Sequence, residues 1–75
     1  MNKSRRERAK YYRGVLREAK DGIEMLREEE DECRDNMPEN LCESERYQHS
    51  EECSEAMDSA IASIEEAIEY IDTVI

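Results

Sequence analysis

In the last third of the chain, Met57, Ile61, Ile64, Ile68, Ile71 and Ile75 follow one another at alternating steps of four and three residues. That spacing marks one stripe of an α-helix and excludes a β-strand, whose faces repeat every second residue. Ala56, Ala60, Ala67 and Val74 widen the stripe. A face this apolar must meet another apolar surface, and 75 residues leave room for one further helix and little else.

The first half supplies that helix. Ala9, Tyr12, Leu16, Ala19, Ile23, Leu26, Cys33 and Met37 keep a three-four spacing that only Glu30 interrupts, which reads as a heptad seam. Ser4 followed by Glu7 fits a capping box, so the helix is expected from about residue 4 to about residue 35, weakened somewhat by Gly14 and Gly22. Asn36 to Leu41 carry the break. Pro38 has no amide hydrogen and biases Met37 away from helical geometry, and Pro38 to Cys42 can form a short turn of their own. Ser44 then caps a second helix entered through Glu45, an acid near the positive end of the helix dipole.

The expected architecture is all-α. It is a single domain over residues 1–75, with helix 1 over about 4–35, a turn over about 36–43 and helix 2 over about 44–75, folded back as an antiparallel hairpin. By that register Tyr12 and Tyr70 should lie near each other, and Tyr11, Tyr12, Tyr47 and Tyr70 read as amphipathic contact residues. Two helices cannot cover the whole isoleucine stripe. A homodimer in the form of a four-helix bundle is therefore expected, with Met57, Ile61, Ile64, Ile68, Ile71 and Ile75 as its seam.

Charged residues make up 43% of the chain and hydrophobic ones 37%. Such polarity suits long helices or disorder, and the periodicity decides for helices. No run of about 18 apolar residues exists to span a bilayer. The basic start, Met1 to Arg8, leads into no apolar segment, which argues for a cytoplasmic protein. Cys33, Cys42 and Cys53, an odd number, then read as reduced thiols.

Charge divides the chain sharply. Residues 1–20 hold eight basic and two acidic side chains, whereas residues 21–75 hold three basic and nineteen acidic, for a net charge of −10. In an antiparallel hairpin Arg5, Arg6 and Arg8 neighbour Glu65, Glu66, Glu69 and Asp72, and these otherwise unfavourable helix-end charges become complementary. Arg5, Arg6, Arg8 and Arg13 are where nucleic acid would bind, although the remaining acidity argues against it. At the other end Glu28, Glu29, Asp31, Glu32, Asp35, Glu39 and Glu43 form a concentrated negative surface. It either keeps the protein in solution or occupies a basic cleft that normally holds a nucleic-acid backbone.

Little else carries chemistry. Cys33, Cys42, His49 and Cys53 are the only soft ligands, and His49 with Cys53 share one helical face, but their spacing matches no compact zinc pair, so no metal is expected. A continuous acidic helix does not converge its carboxylates on calcium. One histidine, no phosphate-binding glycine loop and no nucleophile motif argue against an enzyme and against a cofactor.

The turn Asn36 Met37 Pro38 Glu39 Asn40 Leu41, with Ser44 Glu45 Arg46 Tyr47 and the Ile-Glu-Glu-Ala-Ile piece beyond it, resembles small helical proteins encoded by bacteriophages, prophages and other mobile elements. The resemblance covers roughly residues 30–75. It implies an accessory protein made inside a bacterium, of the kind that includes inhibitors of host defence such as anti-CRISPR proteins. The expected partner is then a host protein, namely a nucleic-acid-binding defence effector. The alternatives are an assembly hairpin acting through its apolar stripe, or a nucleic-acid-binding dimer using its basic first helix.

Overall fold

The computed structural model describes residues 1–41 and 44–75. Two helices, α1 (Lys3–Asp35) and α2 (Glu45–Asp72), pack against each other as an antiparallel pair, joined through a short 3-10 turn (Glu39–Leu41). The Cα trace measures 59 × 14 × 11 Å, a hairpin and not an unbroken rod.

The helix ends have local causes. Asn2 caps α1, its Oδ1 accepting from the Arg5 N–H at 2.8 Å, so the cap is Asn2 and not the expected Ser4. Asparagine is at least as good a cap as serine, and Asn2 has the extended backbone a cap needs. Glu7, freed from a capping box, meets Lys10 at 3.4 Å. At the far end Pro38 opens the 3-10 turn, its carbonyl accepting from Leu41 at 2.9 Å, as the sequence suggested. The Ser44 hydroxyl donates to the Leu41 carbonyl at 2.6 Å and accepts from the Tyr47 N–H at 3.2 Å, which makes it the expected cap of α2. That helix stops at Asp72 rather than Ile75: the Thr73 and Val74 N–H groups bond the carbonyls three residues back, at 3.1 and 3.0 Å, so the last turn tightens, and the Thr73 hydroxyl also donates to the Tyr70 carbonyl at 2.7 Å.

Three ion pairs state the register: Arg13 with Asp72 at 2.6 Å, Lys20 with Glu65 at 3.9 Å and Arg27 with Asp58 at 2.8 Å. The residue numbers of each pair add to 85, and the rungs are seven residues apart. They form one heptad row along the edge of the interface. Asp72 and Glu65 therefore do find basic partners, but these are Arg13 and Lys20 and not Arg5, Arg6 and Arg8. Tyr12 makes its ring contact with Tyr11, centroids 5.2 Å apart, and Tyr70 donates within α2 to Glu66. The pairing of Tyr12 with Tyr70 does not form.

The ladder changes the identity of the α1 seam. The residues of α1 turned toward α2 are Ala9, Leu16, Ile23 and Glu30, alternating with Arg13, Lys20, Arg27 and Arg34. Tyr12, Ala19, Leu26 and Cys33, expected in the seam, are exposed. The aliphatic stems of arginine and lysine cover apolar surface while their charged heads reach the rim. The side chains of Arg13 and Lys20 are 25% and 24% exposed, and the Nε atoms of Arg13 and Arg27 are buried without a hydrogen-bond partner.

Packing should therefore outweigh charge in these rungs, since exposed pairs are worth only ~0–1 kcal/mol each. Arg27→Met is expected to keep the melting temperature within a few degrees, whereas Arg27→Ala lowers it clearly more. A double-mutant cycle of Arg27 with Asp58 should give a coupling of about 0.5 kcal/mol that shrinks in high salt. A coupling several times larger would show that the ladder holds the hairpin by charge.

Candidate functional site

The acidic run leaves the rod at its closed end. Residues 28–55, the last turns of α1, the 3-10 turn and the first turns of α2, contain twelve acidic and two basic side chains. Glu28, Glu29, Glu32, Asp35 and Glu39 are exposed, and Glu43 lies outside the described residues. Among the described residues of this segment, Asp31 is the one acid in an ion pair.

Asp31 does a different job from its neighbours. Its Oδ1 accepts from Arg34 Nη2 at 2.8 Å and from the Ser54 hydroxyl at 2.7 Å. Arg34 Nη1 in turn donates to the Ser54 hydroxyl at 2.9 Å, the Ser50 carbonyl at 3.1 Å and the Ser50 hydroxyl at 3.3 Å. Ser50 and Ser54, 3% and 8% exposed, are the buried polar residues of the hairpin among those described. The hydrogen bond from Ser54, and then that from Arg34, hold the Asp31 carboxyl below its ordinary 3.8. Burial works against the Arg34 charge, and the hydrogen bond and charge of Asp31, together with Tyr47 and Glu51, outweigh it. The cluster takes the fourth rung of the ladder and ties α1 to α2 beside the turn. Asp31 is thus a structural residue of the closed end, and the surface open to a partner is made by the other carboxylates. Serines at seam positions give no periodic signal, so the sequence concealed this cluster.

At the open end Arg5 and Arg6 line a shallow groove with Met1, Thr73, Val74 and Ile75, while Arg13 is held by Asp72. Only part of the candidate nucleic-acid surface is therefore free. Of the isoleucine stripe, Ile68 is buried at 8% exposure, and Met57, Ile61, Ile64, Ile71 and Ile75 are half-buried. These residues form the α2 side of the hairpin's own seam.

The residues left outside form a second surface. Successive residues of a helix turn by about 100°. Arg13, Lys20 and Arg27 accordingly flank the Leu16 and Ile23 row on one side, and Tyr12, Ala19 and Leu26 flank it on the other. On that other side Leu26, Glu29, Glu30 and Cys33 of α1 share one groove with Cys53, Ala56 and Met57 of α2. Tyr12, Val15 and Leu26 are 59%, 43% and 56% exposed there.

His49 Nε2 stands 3.6 Å from Cys53 Sγ, and Cys33 and Cys53 are free thiols across the groove. Among the described residues no three side chains of His, Cys, Asp or Glu gather as a metal site would require, and Cys42 lies outside them. No helix is long and apolar enough to cross a membrane among the described residues. Comparison with known proteins adds no relative, since no family model, no curated protein and no solved structure matches the chain.

Proposed function

We propose that this chain is a non-enzymatic accessory protein that acts as a homodimeric four-helix bundle and binds a host protein through its acidic closed end. The partner is a nucleic-acid-binding protein, of the kind a bacterial defence effector is. Its basic cleft accepts rows of carboxylates in place of phosphates. The observation that carries this reading is the density of negative charge at one end of the rod: the sequence places twelve acids against two arginines over residues 28–55, and among the described acids of that segment Asp31 alone is held in an ion pair, with Arg34. A uniformly solvated surface has no need to concentrate like charge, which repels itself.

Neutralising Glu28, Glu32, Asp35 and Glu39 together tests it, because none of these belongs to the hairpin seam. With amides at all four positions, helicity should persist while affinity for the partner falls by roughly tenfold or more, at some tenths of a kcal/mol for each rim charge. The experiment is capture from a bacterial lysate by the unaltered chain and by the variant, with duplex DNA added as competitor. A captured nucleic-acid-binding protein that DNA displaces and the variant fails to retain supports the reading. Capture that survives all four changes overturns it.

The exposed Tyr12, Val15 and Leu26 favour a second reading, an assembly hairpin whose apolar side is its working surface. Under that reading the four amides leave binding intact and changes on the apolar side abolish it.

A further inference from the structure

Three observations converge on the apolar side of the hairpin. The first is area. A compact monomer of 8.9 kDa exposes about 4,800 Å² of surface. This hairpin exposes 5860 Å². The excess, roughly 1,000 Å², belongs to a rod 59 × 14 × 11 Å with a single packed seam, and it leaves room for the about 800 Å² that one partner contributes to a stable interface.

The second is Gly22, which sits in the middle of α1 on the same strip as Val15 and Leu26. Glycine inside a helix is unfavourable relative to alanine. A Cβ at Gly22 would meet nothing within 4 Å, so no contact within the hairpin excludes a side chain there. Close approach of a helix from outside would.

The third is the order of charge along the strip. Tyr12, Val15, Ala19, Gly22 and Leu26 are bracketed by Arg8 at one end and Glu29 at the other. Laid against a copy of itself in the opposite direction, the strip brings Arg8 of each chain to Glu29 of the other, with Ala19 near the centre and Gly22 of each chain opposite Val15 of its partner. The whole rod agrees. Its turn half, residues 21–58, holds fifteen acidic and three basic side chains, whereas residues 1–20 and 59–75 together hold eight basic and six acidic. Turn-to-turn stacking sets two strongly negative ends together, and opposite stacking separates them.

We infer that a second copy of this chain covers the apolar side, α1 against α1, with the turns at opposite ends of the bundle. The inference rests on the homodimer named above and adds its face and direction. It shares Glu29 with the acidic surface, whose test uses other residues and another readout.

The experiment is sedimentation equilibrium on the full chain, with far-UV circular dichroism to establish that each variant is helical. The unaltered chain should have the mass of a dimer. Arg8→Glu alone and Glu29→Lys alone each set like charges together twice per dimer and should weaken association by roughly tenfold. Both changes in one chain should restore it, because the exchanged charges meet across the two-fold axis. An equimolar mixture of the two single variants should dimerise better than either alone. Gly22→Leu should leave the chain helical and monomeric. A monomeric unaltered chain overturns the inference and the homodimer together. A dimer in which the double variant is as weak as the singles overturns the opposed arrangement and leaves the homodimer standing.

Discussion

Replacing Ile68 by alanine is expected to destabilise the hairpin by about 2–4 kcal/mol, the usual cost of a large-to-small change at a buried site. Ile68 is 8% exposed and is the one buried hydrophobic residue among those described. At about 4–8 °C per kcal/mol for a domain this small, the melting temperature should fall by roughly 10–25 °C. Ile61, half-buried on the same stripe, provides the comparison, and Ile61→Ala should cost clearly less. Thermal unfolding followed by circular dichroism at one protein concentration decides, because association would make the midpoint depend on concentration. Equal losses for the two variants would mean that packing is spread evenly along the rod and has no centre at Ile68.

Ser54→Ala should cost about 1–2 kcal/mol near neutral pH, more than a surface serine would, because one hydroxyl serves two partners. It donates to Asp31 at 2.7 Å and accepts from Arg34 at 2.9 Å, and alanine leaves Asp31 without its cross-helix hydrogen bond and Arg34 with Ser50 alone on α2. The effect should depend on pH in a definite direction. The Ser54 hydrogen bond is the first cause of the lowered Asp31 pKa, ahead of Arg34. A carboxyl with a lowered folded pKa contributes stability that is complete above its ordinary 3.8 and is lost as pH falls through the lowered folded value. Urea midpoints of the two chains should therefore differ most near neutral pH and converge well below pH 3.8. A gap that stays constant on acidification would separate Ser54 from the ionised state of Asp31.

Much of the architecture was legible because it follows from short-range rules. The three-four spacing of Ile61, Ile64, Ile68 and Ile71 admits only a helix, Pro38 ends the preceding one, and the hydroxyl of Ser44 starts the next. Asn2 displaced Ser4 as the first cap, a shift of two residues between two good capping side chains. The α1 seam was misassigned for a physical reason. Arg13, Lys20, Arg27 and Arg34 fall outside an apolar three-four pattern, yet each has a stem long enough to lie in the interface with its charge at the rim. Moving the seam one position forward put Tyr12, Leu26 and Cys33 outside and created the apolar side on which a second copy is proposed.

The closed end divides in the same way. A surplus of carboxylates near the turn follows from residue order alone once the chain folds back at Pro38. That Asp31 binds inward to Arg34 and Ser54, while Glu28 and Glu32 remain free, depended on the rotation of α1 about its own axis. The sequence by itself determined helical periodicity, the place of the turn and which end of the rod is negative, because these depend on neighbours a few residues away. Only the tertiary structure decided which stripe of α1 meets α2. Two adjacent stripes compete for that position, and the choice depends on side-chain stems and ion-pair partners some thirty to sixty residues distant in the chain.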